Sequence, residues 1–259
     1  MVSIQKSQRR YISFLFFLLI SFILGKNNIP ILYGTDEKYS KYTIVSMTSI
    51  CYNALENSFY QIFIFVSDNL SEQAKTNMKT VEKNFPDSCN VSLIDVGKAY
   101  KNIKIKSGMH FTTPTFYRLK ASSYFTQFDR MIYLDGDTVV NTDLYELYSL
   151  DFNDNYYLGR FCRYGFDDSS KKLSKFPYEN YINAGVMLIN LKKLRDDKME
   201  SKYEKYLEKN KDNSLWADQD VINYVTEGKL GLLPSKYNLQ PLLNMKDIMI
   251  RYDWKNCRS

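Results

Sequence analysis

An α/β fold with a doubly wound, mostly parallel sheet is what this sequence predicts, and three observations carry the prediction. Apolar runs of strand length alternate with longer stretches whose apolar residues recur at helical spacing. Two of the strand-length runs end in acids, at Thr35-Asp36 and at Asp135-Gly136-Asp137, and parallel sheets bind ligands at the carboxyl ends of their strands. At 259 residues the chain fits one large domain, or one domain with a short appendage, and can bury a substantial core.

The elements follow in order. Residues 1–28 form an N-terminal segment in which Tyr11 to Leu24 is almost wholly apolar and follows Lys6, Arg9 and Arg10. This is either a signal-peptide core or a short membrane anchor, below the ~17–25 residues of an ordinary spanning helix. The basic flank predicts that the body crosses the membrane, and Asn69-Leu-Ser71 and Asn90-Val-Ser92 fit glycosylation acceptors in a eukaryotic lumen.

The body occupies residues 29–259. Ile29 to Gly34 is a strand entering a loop, and Tyr42 to Leu55 carries Ile44, Val45, Met47, Ile50, Cys51 and Ala54 at helical spacing. Gln61 to Val66 is a buried strand. Ser71 caps a helix running to about Asn84 and closed by Pro86, and Val91 to Val96 is the third strand. Thr115 to Phe128 is a helix, and Met131 to Leu134 the strand that delivers the acids. Leu144 to Leu147 makes a helical turn and Tyr157 to Phe161 a strand. Gly165 to Glu179 is a polar loop. Tyr181 to Asn190 places small residues in a turn before a buried strand. Leu191 to Asn210 is one charged helix, and Trp216 to Asn223 begins another. Leu230 to Pro234 then leads into Tyr237-Asn238-Leu239.

Charge excludes one class of partner. The formal net charge is +6, but Lys6, Arg9, Arg10 and Lys26 all precede Ile29 with no acid among them, so the body carries +6 − 4 = +2. A near-neutral body carries no nucleic-acid footprint. Lys98 to Lys106 is a basic patch of the kind a solvated loop carries. The four cysteines show no CxxC or Cys/His spacing, which leaves free buried thiols as the simplest expectation and no zinc site.

Asp135-Gly136-Asp137 carries the chemistry. In an extended segment, residues two apart share a side, so both carboxylates can face one point, and Gly136 leaves room for close approach to the backbone. Two hard oxygen donors suit Mn²⁺ or Mg²⁺, most naturally one that also holds a diphosphate. The competing reading is an Asp-Gly turn closing a hairpin.

Seven stretches fall in an ordered series: Tyr33-Gly-Thr-Asp-Glu-Lys-Tyr39, Tyr117-Arg-Leu-Lys120, Tyr133-Leu-Asp-Gly-Asp137, Asn183-Ala-Gly-Val186, Leu188-Ile-Asn-Leu191, Asp218-Gln-Asp220 and Tyr237-Asn238. In these the chain resembles glycosyltransferase family 8, retaining nucleotide-sugar transferases that include glycogenin and bacterial lipopolysaccharide galactosyltransferases. The resemblance implies a fold of the nucleotide-diphospho-sugar transferase (GT-A) type. It implies a UDP-sugar donor, Mn²⁺ or Mg²⁺, and a glycan or lipid-linked saccharide acceptor. It further implies membrane association through the N-terminal segment: lumenal in the Golgi or endoplasmic reticulum of a eukaryote, on the cytosolic face in a bacterium.

Carried residue by residue, Gly34, Asp36 and Tyr39 would hold the uracil and ribose; the alternative is a strand-end turn with a core tyrosine. Arg118, in a helix, would reach the diphosphate or a sugar hydroxyl, or else form a surface ion pair. Asp135 and Asp137 would bind metal, with Gly136 between them. Asn183, Ala184 and Gly185 would shape the sugar and acceptor side, or else make a tight turn. Asp218 and Gln219 would lie under the reacting sugar carbon, or else cap a helix start. His110, the only histidine, matches a family position near the acceptor and equally suits a solvated loop.

One departure stands out. The family's later His-x-x-Gly-x-x-Lys-Pro-Trp segment, a source of a third metal ligand and a diphosphate-binding lysine, has no counterpart before Ser259. Either the sequence stops short of that segment, or a catalytically impaired nucleotide-sugar-binding protein is the alternative expectation.

Overall fold

The computed structural model describes residues 25–67, 69–96, 113–162, 180–210 and 217–239. The apolar stretch Tyr11–Leu24, the basic run Lys98–Lys106, His110, the loop Gly165–Glu179, Trp216 and Cys257 lie outside these.

Seven strands make one mixed sheet in the order β3-β2-β1-β4-β6-β5-β7. They are β1 (Asn27–Thr35), β2 (Ser58–Val66), β3 (Cys89–Asp95), β4 (Arg130–Leu134), β5 (Tyr157–Phe161), β6 (Ile182–Asn190) and β7 (Leu230–Leu232). β1 pairs in parallel with β2 and β4, β2 with β3, and β5 with β7. β6 alone runs against its neighbours, antiparallel to both β4 and β5. The reversal positions the site. Because Leu134 pairs with Val186, the first residues of β6 overhang the end of β4, and small residues early in one strand meet acids at the end of another.

Side chains alternate between the two faces. Ile29, Ile31 and Tyr33 of β1 join Ile62 and Ile64 of β2 beneath α1 (Ser40–Tyr52) and α2 (Glu72–Asn84). Leu32, Phe65, Tyr133 and Met187 point the other way, under a 3-10 segment (Thr113–Lys120), α5 (Leu191–Asp196), α6 (Met199–Asn210) and α7 (Ala217–Val225). The helical turns α3 (Ala121–Tyr124) and α4 (Tyr145–Tyr148) complete the described elements.

The predicted capping at Ser71 holds: its side chain accepts the Ala74 N–H at 3.1 Å. Four expectations change. Val45, assigned to the apolar face of α1, is 58% exposed, and Met47, Ile50 and Cys51 do the packing. The helix expected over Thr115–Phe128 is a 3-10 segment followed by one α turn, because Thr115, Phe116 and Tyr117 favour α geometry poorly. The single helix expected over Leu191–Asn210 breaks at Lys198, whose φ of 53° is left-handed. Tyr181–Asn190 contains no turn before its strand; β6 begins at Ile182 and includes Asn183, Ala184 and Gly185. The described cysteines Cys51, Cys89 and Cys162 are buried thiols. Among the described residues no helix is long and apolar enough to cross a membrane.

Candidate active site

The acids sit just past β4, in a turn rather than in extended chain. The Thr138 N–H donates to the Asp135 carbonyl at 3.2 Å, and the Thr138 hydroxyl to the same oxygen at 2.8 Å. The turn closes no hairpin, since the strand paired with β4 beyond it is β6. A Cβ at Gly136 would overlap the hydroxyl of Thr43, so α1 approaches this backbone closely. Thr138 bonds Ser46 at 2.9 Å, a second tie between the turn and α1.

Arg118 joins the parts of the site. It is 6% exposed, not a surface ion pair, and it leaves a 3-10 turn, not an α-helix. Its Nη2 donates to Asp135 Oδ1 at 2.8 Å and its Nη1 to the Ala184 carbonyl at 2.5 Å. Its Nε lies 2.9 Å from Asp218 Oδ2, yet the Nε–H points to the Thr115 carbonyl, 3.0 Å away. Asp218 Oδ2 thus receives charge without a hydrogen bond and is an unpartnered buried oxygen. The guanidinium stands 3.9 Å above the ring of Tyr133, whose hydroxyl also donates to Asp135 Oδ1, at 2.9 Å.

These contacts fix the electrostatics. Burial pushes the Asp218 carboxyl up to about 7; Arg118 pulls it down, and Asp135 pushes it up further. Burial draws the Arg118 guanidinium toward neutrality, but Asp135 and Asp218 outweigh that and hold it charged. Burial, then the neighbouring Asp135, raises Asp137.

The Asn183-Ala-Gly185 segment is braced from α7 and from the chain beyond β7. Gln219 Oε1 accepts from Asn183 Nδ2 at 3.2 Å and from the Ala184 N–H at 3.0 Å. Asn183 Oδ1 accepts from the Gly185 N–H at 2.9 Å and from Asn238 Nδ2 at 2.8 Å. Asn223 holds both polar backbone groups of Ile182, and Tyr181 donates to Asp220 at 2.6 Å. At the end of β1, Asp36 Oδ1 accepts the Tyr39 N–H at 2.9 Å, a strand-end turn that starts α1. Gly34 precedes it, half-buried.

Arg118, Asp135, Asn183, Ala184, Gly185, Asp218 and Gln219 therefore form one connected group. Asp36 and Tyr39 are not hydrogen-bonded into it. Tyr133, Asp220, Asn223 and Asn238 belong to its framework; the first, second and fourth stand in the ordered stretches without a role assigned to them, and Asn223 stands in none. Two had a signal: Tyr133 is two residues before Asp135, and Asn223 is four after Gln219 on one helix face.

The mixed sheet, with acids past a central strand facing a reversed strand of small residues, has the GT-A type of fold. The chain belongs to glycosyl transferase family 8, whose model matches residues 30–257. It is 27% identical over 227 residues to a lipopolysaccharide 1,2-glucosyltransferase of Escherichia coli, a match covering 80% of this chain and 61% of that protein. It is 25% identical over 232 residues to a lipopolysaccharide 1,3-galactosyltransferase of Salmonella typhimurium, covering 85% and 66%. The chain thus spans less than two thirds of the length of either relative. Among solved structures it is similar to the galactosyltransferase LgtC in complex with donor and acceptor sugar analogs, with a TM-score of 0.72 and 27% identity over 82% of this chain and 76% of that one.

Proposed function

We propose that this protein moves a hexose from a UDP-sugar to a glycan or lipid-linked acceptor, with retention at the sugar carbon and with Mn²⁺ or Mg²⁺ held by Asp135 and Asp137. The observation that carries the reading is Arg118, which links the acid turn, the small-residue stretch of β6 and the start of α7 into one buried charged group.

The donor set suits a hard cation shared with a diphosphate. Asp135 Oδ2 accepts no hydrogen bond among the described residues, and Asp137 is exposed. No cluster of three potential ligands occurs among the described residues, so donor oxygens and water would complete the shell. A divalent cation there would supply positive charge against the leaving diphosphate.

The chain's own residues do the rest. Arg118 brings a fixed charge whose orientation needs no rearrangement during reaction. The amides of Asn183 and Gln219, locked against each other, present polar groups to a sugar without a formal charge. Asp218 acts through Arg118, since its carboxyl is buried against the guanidinium. Asp36 and Tyr39 at the end of β1 would take the nucleoside. Attachment through Tyr11–Leu24 would keep the body near a lipid-linked acceptor.

The test is turnover of UDP-hexoses with Mn²⁺, with and without EDTA. Donor affinity is then measured across a manganese titration for the Asp135→Ala/Asp137→Ala double variant. A cation-independent curve, equal to that of the unaltered protein, overturns the proposal.

A further inference from the structure

Asp135 is not free to present both oxygens. Its Oδ1 already accepts two hydrogen bonds, from Arg118 Nη2 at 2.8 Å and from the Tyr133 hydroxyl at 2.9 Å, which fills the two lone-pair directions of that atom. Its backbone N–H donates to the Gly185 carbonyl at 2.7 Å, fixing the strand end beside β6. On the other side of the carboxylate a Cβ at Gly185 would lie 2.9 Å from Oδ2 and 3.0 Å from Asn183 Oδ1. The φ of Gly185 is not left-handed, so backbone geometry does not demand a glycine there. The missing side chain leaves one thing open: the face of Oδ2.

We propose that Tyr133 and Gly185 are positioning residues for the Asp135 carboxylate: Tyr133, with Arg118, occupies Oδ1, and Gly185 keeps Oδ2 clear, so that a divalent cation meets a single pre-aimed oxygen. The proposal rests on the metal-dependent reading above but concerns two residues that supply no metal ligand themselves. Tyr133 is suited to the task because its ring is locked. It is buried on one face of β4, the strand between β1 and β6, and the Arg118 guanidinium covers it at 3.9 Å. Groups that orient a metal ligand in this way set its affinity, and losing one weakens binding by about 10–100-fold.

The experiment measures Mn²⁺ binding directly, by electron paramagnetic resonance of free Mn²⁺ with UDP present, rather than by turnover. Tyr133→Phe keeps the ring under Arg118 and removes only the hydroxyl. It is expected to weaken Mn²⁺ about tenfold, leaving UDP binding without metal and the thermal midpoint nearly unchanged. Gly185→Ala crowds Oδ2 and is expected to weaken Mn²⁺ more, about 100-fold. Tyr157→Phe, which removes another buried hydroxyl (2.9 Å from that of Tyr203), is expected to leave Mn²⁺ affinity within twofold. If the unaltered protein binds Mn²⁺ and Tyr133→Phe and Gly185→Ala bind it equally well, the positioning role is wrong and the metal reading stands. An equal loss in Tyr157→Phe also overturns the role, since packing then explains the effect. If the unaltered protein binds no Mn²⁺ with UDP, the metal reading falls and takes this inference with it.

Discussion

Removing the charge of Arg118 tests whether the site is a single electrostatic unit. Arg118→Met retains much of the side-chain stem and deletes the guanidinium, stranding Asp218 with no cation 2.9 Å away and Asp135 with one donor fewer. Breaking a buried ion pair from one side costs about 3–5 kcal/mol. Asp135 is 38% exposed, so solvent screens its share and about 3 kcal/mol is the better figure. At roughly 2–4 °C per kcal/mol for a chain of this size, the thermal midpoint should fall by about 6–12 °C. The loss must also depend on pH. Arg118 lowers the Asp218 carboxyl, which titrates near 7 with the guanidinium present, so the variant titrates higher. Below 7 both native states hold that proton and the loss is flat. Above 7 the variant's native state holds more protons than the unaltered one, so the loss grows with pH by about 1.4 kcal/mol for each unit of added shift. Thermal unfolding at pH 6 and pH 9 reads this directly. A loss under about 1 kcal/mol, or one equal at both pH values, would refute the reasoning.

Three further outcomes follow from packing and linkage. Asp218→Asn should flatten stability between about pH 4 and 7, where the unaltered protein loses stability as pH rises, because its folded carboxyl titrates near 7 and its unfolded one near 3.8; denaturant midpoints across that range check it. Gly136→Ala should destabilise by about 1–3 kcal/mol by overlapping Thr43, and Thr43→Ala should restore part of the loss, a cycle read by urea unfolding. Ser71→Ala should cost about 1 kcal/mol, since it removes both the α2 cap and the hydroxyl that donates to Glu37 at 2.8 Å.

Much of this was legible in the sequence, and what was not has local causes. The order of strands and helices followed from period and length, because Ile29–Gly34, Gln61–Val66 and Met131–Leu134 are apolar runs too short for helices. The reversal of β6 was not legible, since nothing in Ile182–Asn190 marks strand direction; pairing with β4 and β5 decides it. The break at Lys198 was hidden because a lysine carries no signal for a left-handed φ. The acids were legible as the end of a strand, but their local geometry was not. They flank a glycine demanded by Thr43, and Asp135 is oriented by Tyr133 and Arg118 rather than by strand alternation. Burial of Arg118 could not be read either, since its partners are 17, 66 and 100 residues away in sequence.

The reversed strand explains why those distant residues meet. In a parallel sheet each strand offers its last residues to the ligand edge, and β1 and β4 do so with Asp36 and Asp135. A parallel β6 would send Asn183, Ala184 and Gly185 to the opposite edge and bring Asn190 here instead. Running antiparallel, β6 sets Gly185 against the Asp135 N–H and offers the Ala184 carbonyl to Arg118 while its apolar second half stays buried between β4 and β5. Glycine suits position 185 because a side chain there would fill the space beside Asp135 Oδ2, and α7 holds the neighbouring backbone of Ala184 and Ile182 through Gln219 and Asn223. One change of strand direction thus lets a carboxylate, a buried cation and two amides converge from four separate parts of the chain.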